Sequence, residues 1–451
     1  MQDSQTNVFS THLKRTMGLL LLGGLLLTSG CCNFAVNMEP RAERPIHVAA
    51  IKGHEKCLKQ FIAAEPDIDI PNKFGDTSLL LAVHDGHPGS ARLLIQSGAN
   101  VNVAGHENNR ALHYCMTKPR GYKEMTALLL GQKADPNLLD LEGRAPLHLI
   151  GDLDIKRDLL DHGASPYIAD SEGYTPIFRD LIGRSQQMDA MPYLQVYFEK
   201  GLNPDFRYPV MDCGLIHWAI EKDREDIVEL VLQHKADMNM LNQDGMPAVY
   251  LAMELRRDRL ATLLLKQGAD ANATRVFKKN PKLRETLLNA AVRNMNLYYT
   301  VLLLKYGAQP NIPGFTADGS SALYNLCRAQ IQASQSEDQL KVFERLIQAK
   351  VDVNLANTAN KDTPLNAAIS RSNGPLVDAL LKANAKVNTP GAGGHTPLHM
   401  AAISGNQSLL QKLIAHGADV RARDTSGRTP GRAAFEAGFL EIANVLDYVP
   451  E

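Results

Sequence analysis

The sequence predicts an all-α fold built from many short helix-turn-helix units stacked along one chain. Three observations support this prediction: a short motif recurs, a turn recurs about every 35 residues, and the apolar residues are mainly aliphatic. Apolar residues make up 44% of the 451 residues but aromatic residues only 6%, so thin helical layers fit this composition better than one deep core.

The recurring motif is clearest at Thr396–Ala402 (TPLHMAA), and related copies begin at Pro45 (PIHVAA) and Pro146 (PLH). Threonine caps the backbone amides of the helix that follows, and proline costs no hydrogen bond at the first helical position. An apolar helix and a glycine turn follow downstream, as at Gly98–Asn102 (GANVN) and Gly268–Asn272 (GADAN). The equivalent turn positions are 65, 98, 133, 163, 201, 235, 268, 307, 350, 384 and 417.

These motifs resemble the ankyrin repeat, and the resemblance covers residues 44–448 in about twelve repeats. It implies an ankyrin-repeat solenoid with β-hairpin-like fingers, which binds proteins and needs no cofactor. It also implies that the motif histidine bridges adjacent loops through both ring nitrogens. A recurring packing role of this kind explains the histidines without metal or catalytic chemistry. They are His47, His113, His148, His217 and His399.

Some positions depart from the repeat pattern. Lys133, Lys235, Lys350 and Asn384 replace the turn glycine, where a left-handed backbone is expected and side chains other than Asn are strained. Three insertions lengthen the array, at residues 183–192, 273–284 and 328–338. Insertions in a solenoid map to loops, and they arise equally well from function or from neutral drift.

The N-terminus predicts export. Lys14 and Arg15 precede an apolar run at residues 17–27 and then small residues, the layout of a signal peptide over residues 1–30. The segment LTSGC, ending at Cys31, resembles the lipobox of bacterial lipoproteins. This resemblance implies lipidation of Cys31, a tether at residues 31–43, and repeats held in the periplasm or at the cell surface. Ordinary secretion with cleavage nearby is the alternative.

Other chemistry is sparse in the sequence. The remaining cysteines, Cys57, Cys115, Cys213 and Cys327, lack the spacing of a zinc site, and we expect neither a metal nor a disulfide framework. A net charge of -1 gives no field that would attract nucleic acid. Nucleophile and nucleotide motifs are missing from the sequence, which favours a non-enzymatic protein.

The resemblance places partner-binding residues beside each finger glycine. Phe74, Leu141, Tyr174 and Met246 are apolar or aromatic where solvent is expected, so we expect them to anchor a partner. A basic run between residues 275 and 284 is a further candidate, although such runs are often only solvated. The full set is Lys73, Phe74, Asp76, Leu141, Glu142, Arg144, Tyr174, Gln243, Met246, Arg275, Lys278 and Lys279.

Two hypotheses about function remain open at this level. The first is a monomeric interaction scaffold in the cell envelope, which holds an unidentified partner protein. The second is a secreted or surface effector that binds a host protein.

Overall fold

The computed structural model describes residues 44–65, 67–116, 122–184, 190–313, 319–330 and 332–446. In these residues the helices form twelve consecutive pairs, which we number as repeats 1 to 12. The sheet within the same ranges is one antiparallel hairpin of β1 (Thr274–Val276) and β2 (Arg284–Thr286). This helical architecture confirms the all-α fold.

Each repeat contains a first helix, a tight turn and a second helix. The pairs are, in order, Pro45–Lys52 with Glu55–Ala64, Ser78–His84 with Pro88–Gln96, Ala111–Met116 with Lys123–Gly131, Pro146–Leu149 with Leu153–Asp161, Pro176–Arg184 with Met191–Glu199, Leu215–Glu221 with Glu225–Gln233, Ala248–Glu254 with Asp258–Lys266, Leu287–Arg293 with Leu297–Lys305, Ala322–Arg328 with Ser336–Gln348, Pro364–Ser370 with Gly374–Lys382, Pro397–Ile403 with Gln407–Ala415, and Pro430–Glu436 with Leu440–Val445. Short 3₁₀ turns lie at His106–Asn108, Ala333–Gln335 and Ala392–Gly394.

The chain divides into two compact units. Unit 1 runs to Asn203 and includes Tyr208–Val210, so it holds repeats 1 to 5. Unit 2 comprises Pro204–Arg207 and the chain from Met211, so it holds repeats 6 to 12. In unit 1, first helices pack against first helices of the next repeat, and second helices against second helices. In unit 2, first helices pack in the same way between repeats 6 and 7 and from repeat 8 to repeat 12.

The helix starts follow from the motif. The side chains of Thr77, Thr363 and Thr429 each accept a hydrogen bond from the backbone amide three residues later. This contact satisfies one of the amides that a helix leaves unpaired at its N-terminus. Proline occupies the first helical turn in repeats 10, 11 and 12. Where these residues occur, the motif therefore defines where the first helix begins.

Motif histidines connect their repeat to the next loop, as His113 and His399 show. In His113, Nδ1 accepts a hydrogen bond from the Arg110 amide at 3.1 Å, so Nε2 carries the proton and donates to the carbonyl oxygen of Arg144 at 3.0 Å. His399 forms the equivalent pair, with its Nε2 2.9 Å from the carbonyl oxygen of Arg428. These contacts confirm the bridging role for the two histidines.

Asparagine side chains form a second set of links between neighbouring repeats. Asn137 donates to the carbonyl oxygen of Gly163 at 2.9 Å and accepts from the Ser165 amide at 2.8 Å. Asn388 does the same with Gly417 and Asp419. Each asparagine therefore satisfies both a donor and an acceptor in the next turn, which fixes the spacing of adjacent fingers.

The predicted turn positions adopt a left-handed backbone with one exception. Glu65 is extended, with φ of -92°. The other ten positions all have positive φ, including those without glycine; they are Gly98, Lys133, Gly163, Gly201, Lys235, Gly268, Gly307, Lys350, Asn384 and Gly417.

Candidate interaction surface

The fingertips are built on a buried aspartate or asparagine. In one tip, Asp140 Oδ1 accepts hydrogen bonds from the amides of Glu142 at 2.9 Å and Arg144 at 2.8 Å. The same pattern, to the amides two and four residues later, recurs in other fingers. The side chain replaces a backbone partner, so the tip keeps one shape without any sheet. The residues that hold the tips in this way are Asn72, Asp140, Asp170, Asn242 and Asp424.

Successive tips in unit 1 are joined by hydrogen bonds. The Leu141 amide donates to the carbonyl oxygen of Glu107 at 3.1 Å, and the Ser171 amide donates to that of Glu142 at 2.9 Å. The His106 amide donates to Asp76 Oδ1 at 2.9 Å. The four tips therefore form one continuous surface, the fingertip strip, which comprises residues 72–76, 105–108, 139–143 and 170–174.

Two apolar side chains stand out on the fingertip strip. Leu141 is 72% exposed and Phe74 is 41% exposed. The Phe74 ring lies edge-on to His106, with centroids 6.2 Å apart, and the Lys73 ammonium lies 5.1 Å from the centre of the Phe74 ring. Exposed apolar groups held on a rigid frame lose little entropy on binding, so they suit the centre of a protein interface.

The Tyr174 side chain is less exposed to a partner than those of Phe74 and Leu141. Its ring stacks on Phe178 at 5.7 Å, and the Arg179 guanidinium lies 4.7 Å from its centre. The side chain is therefore half-buried and presents one edge to solvent.

Sequence reasoning missed two exposed apolar residues in the loops of unit 1, Leu139 and Val210. Leu139 precedes the finger positions that the resemblance marks. Val210 lies in the loop between repeats 5 and 6, and its side chain lies close to Gly173, where an added Cβ would be 3.0 Å away. A search for apolar residues over the whole loop, rather than at the family positions, would have found both.

The expectation of exposure is wrong for Asp76 and Met246. Asp76 is only 7% exposed, and its carboxylate accepts hydrogen bonds from the His106 amide and from the Tyr114 hydroxyl at 3.0 Å. Met246 is only 8% exposed. Its backbone amide donates to Asn242 Oδ1, and its apolar side chain is buried. Neither side chain can serve as a partner contact in this conformation.

Charged fingertip residues are partly committed to internal contacts. Arg144 bonds to Asp140 Oδ2 at 2.8 Å and to Glu142 at 2.7 Å. Burial raises the pKa of the Asp140 carboxyl, but the hydrogen bonds from Arg144 and its positive charge outweigh burial, so the pKa lies below its usual value. Lys73 and Gln243 are exposed, as the repeat pattern predicts.

The basic run divides into an internal and an external part. Arg275 is half-buried, and its guanidinium lies 5.6 Å from the centre of the Tyr250 ring and 5.0 Å from that of Phe277. Lys278 and Lys279 are exposed at the tip between β1 and β2.

The cysteines correct one expectation. Cys57 is disulfide-bonded, although no disulfide framework was expected. Cys115, Cys213 and Cys327 are buried free thiols, and burial raises the pKa of Cys115 to about 12, so this thiol is unreactive. Cys31 and Cys32 lie outside the described residues.

The described ranges contain no cluster of three or more His, Cys, Asp or Glu residues suited to a metal ion. Every helix within those ranges is too short or too polar to cross a lipid bilayer.

Curated relatives match the chain over parts of their length. The phosphocholine transferase AnkX of Legionella pneumophila is 26% identical over 272 residues, which is 59% of this chain and 25% of that protein. Mouse Rabankyrin-5 is 25% identical over 348 residues, 73% of this chain and 26% of that protein. Human ankyrin repeat and SOCS box protein 16 is 26% identical over 228 residues, 51% of this chain and 45% of that protein. The chain thus spans less than half the length of each.

The family model for ankyrin repeats matches more than half of the chain, and its matches follow the helix pairs. The matched residues are 46–140, 184–275, 216–314, 330–424 and 373–447. Together with the histidine bridges and the paired helices, these matches show that the chain belongs to the ankyrin-repeat family, whose repeats serve in protein–protein interaction.

Proposed function

We propose that the protein is a non-enzymatic scaffold that holds a partner protein on the fingertip strip of unit 1. The exposure of Leu141, 72% on a tip fixed by Asp140, carries this proposal. Phe74 and Leu139 supply further apolar area, and Lys73 and Glu142 provide a charged rim. An apolar centre with a charged rim is the usual composition of a protein interface.

The proposal concerns binding although some relatives bear the names of enzymes. AnkX is named a phosphocholine transferase and KEG of Arabidopsis thaliana an E3 ubiquitin ligase, but the chain matches only 25% and 19% of their lengths. The helix pairs and the fingers between them account for the part of this chain that the structure describes.

Site-specific photocrosslinking tests the binding surface. Benzoylphenylalanine replaces Phe74 in cells that express the full chain, and the same group at Val301, an exposed residue of the second helix of repeat 8, is the control. We expect a discrete crosslinked product from position 74 alone. A second variant, Leu141→Asp, should abolish that product, because it places a charge in the apolar centre, whereas Val301→Asp should not. Equal products from both positions would contradict the proposal.

We propose further that the protein acts in the cell envelope, anchored through a lipid on Cys31. The disulfide at Cys57 supports export, because such bonds persist mainly in oxidising compartments. Since Cys115, Cys213 and Cys327 are free, lipidation of Cys31 leaves Cys32 as the cysteine available to pair with Cys57.

Labelling with an alkyne fatty acid and counting free thiols test this anchor together. Cys31→Ala should lose the lipid label. Cys32→Ala should keep the label but gain one reactive thiol at Cys57. A label that survives Cys31→Ala would contradict the anchor. Repeats found in the medium or in host cells, rather than in the envelope fraction, would favour the second function, an effector that binds a host protein.

A further inference from the structure

The finger between repeats 7 and 8 differs from the other fingers in its construction. It contains β1 and β2, paired in the register Thr274 with Thr286, Arg275 with Glu285 and Val276 with Arg284. Its tip is closed by hydrogen bonds from the Phe277 amide to the Leu283 carbonyl oxygen at 3.2 Å and from the Leu283 amide to that of Asn280 at 2.9 Å. The inserted residues therefore form an ordered hairpin rather than a loose loop.

The base of this hairpin is held by an internal network. Glu285 is buried and accepts hydrogen bonds from the Tyr250 hydroxyl at 2.6 Å and from Arg293 Nε at 2.8 Å. Burial, and then the neighbouring carboxylate, raise the pKa of Tyr250 well above its usual value. Because its oxygens bind Tyr250 and Arg293, Glu285 does not neutralise the lysines at the tip.

Four cations project from this hairpin without a compensating charge. Lys278, Lys279, Lys282 and Arg284 are all exposed. Among the described residues, none of the carboxylates pairs with them, whereas Lys341 pairs with Glu337 at 2.8 Å and Lys412 with Asp378 at 2.7 Å. Like charges gathered on a rigid support repel one another, and an anionic ligand relieves that repulsion.

We propose that this hairpin, the basic finger (residues 274–286), binds an acidic segment of a partner protein. It would be a second site, in unit 2, and it is independent of the fingertip strip in unit 1. Lysine ammonium groups are point charges that accept carboxylates in many orientations, which suits a Glu- and Asp-rich segment. Because the backbone of the hairpin is already ordered, little backbone entropy is lost when these charges bind a ligand.

Neighbouring residues disfavour other anionic ligands. The tip lies beside the finger at residues 242–246, where the Val276 amide donates to the carbonyl oxygen of Gly245 at 2.8 Å. That finger exposes Asp244, so the cationic surface is short and confined to the tip of the hairpin, which suits a short acidic segment better than a long polyanion such as nucleic acid. The Phe277 ring is covered by the Arg275 guanidinium, so it is poorly placed to stack on a base or to enter a membrane.

A binding assay on the full chain tests this proposal. The probe is a fluorescein-labelled peptide rich in Glu and Asp, and a Gln- and Asn-rich version is its neutral counterpart. The test variant combines Lys278→Gln, Lys279→Gln and Lys282→Gln, which leaves the internal network untouched. The control combines Lys222→Gln, Lys266→Gln and Lys386→Gln, three exposed lysines of unit 2 that remove the same charge elsewhere.

We expect the acidic peptide to bind in a salt-dependent manner, and the test variant to raise its Kd by about tenfold or more. The control variant should change the Kd by less than about twofold. An equal loss in both variants would overturn the proposal, because it would indicate general charge attraction. So would absence of binding, or tighter finger-dependent binding to phosphatidylglycerol vesicles or to an oligonucleotide. Loss of the crosslink at Phe74 is a separate result and leaves this test unaffected.

Discussion

Single residues at the turns store backbone strain at defined places. Lys133, Lys235 and Lys350 have φ of 61°, 63° and 60°, a conformation in which a side chain costs about 1 kcal/mol or more. Their side chains are exposed. The strain at these turns therefore comes from the backbone, and no packing contact requires a lysine.

Replacing these lysines by glycine should stabilise the protein. Each of Lys133→Gly, Lys235→Gly and Lys350→Gly should raise the free energy of unfolding by roughly 0.5–1 kcal/mol, because glycine adopts positive φ without strain. The greater flexibility of glycine in the unfolded chain offsets part of this gain. The measurement is the urea midpoint of the full chain. Gly98→Ala is the matched control: φ is 96° and an added Cβ would meet nothing within 4 Å, so backbone strain alone should lower the midpoint. A lower midpoint in all three glycine variants would refute the argument.

Glu65 shows how a neighbouring residue overrides the repeat pattern. The pattern predicts a left-handed turn there, but the backbone is extended. Pro66 follows in the sequence, and the ring of proline pushes the preceding residue toward extended conformations. Met246 illustrates a different limit, because a repeat position marks a place on the finger and not the direction in which its side chain turns.

At the scale of the elements, a buried ion pair in unit 1 connects helices of two neighbouring repeats. Lys156, in the second helix of repeat 4, is fully buried and donates to Asp180 of the first helix of repeat 5 at 2.7 Å. Tyr197, in the second helix of repeat 5, bonds to Lys156 at 3.0 Å and to Asp180 at 2.9 Å. Three helices from two repeats therefore meet at one polar cluster, a feature that helical periodicity could not reveal.

Removing one partner of this cluster should be costly. Asp180→Ala removes the carboxylate that pairs with the buried Lys156 ammonium, and we expect the free energy of unfolding to fall by about 3–5 kcal/mol. Hydrogen exchange across Leu153–Asp161, Pro176–Arg184 and Met191–Glu199 should report the loss locally. The double variant Lys156→Met with Asp180→Leu removes both charges and should restore most of the protection. Comparable damage in the double variant would mean that shape, not charge, is responsible.

The insertions show how far sequence defines elements. The sequence predicts an insertion at residues 328–338, and the second helix of repeat 9, Ser336–Gln348, begins within it and has 13 residues. The insertion at 273–284 was predicted only as a longer connection. Its strands depend on contacts with Tyr250 and Arg293, distant in sequence, which a single sequence does not disclose.

Across the whole molecule, the buried histidines couple stability to pH. Burial lowers the pKa of His113, His148 and His399, and lowers that of His217 to about 4. In the unfolded chain these histidines bind protons below about pH 6.5, whereas in the folded chain His217 stays neutral until about pH 4. Their contribution to the stability of the fold is therefore fully present above pH 6.5 and is lost as the pH falls toward 4. The shift at His217 alone corresponds to a decrease in the free energy of unfolding on the order of 3 kcal/mol.

Acid denaturation checks this coupling. Urea midpoints measured from pH 7.5 to pH 4 should fall with decreasing pH in the wild type. His217→Gln should be less stable at neutral pH but show a shallower fall, because one titrating group is gone. An unchanged slope in this variant would contradict the assignment of acid sensitivity to the histidines.

The paired hydrogen bonds of Asn137 and Asn388 reach only to the next turn along the chain. Each link joins a side chain to backbone atoms, so it is indifferent to the side chains of the neighbour. After a whole repeat is duplicated or deleted, the asparagine would face an equivalent backbone carbonyl and amide in the repeat that now follows it. Links of this kind therefore allow whole repeats to be gained or lost over evolution without new hydrogen bonds between repeats. The sequences of the fingertips can change independently of these links.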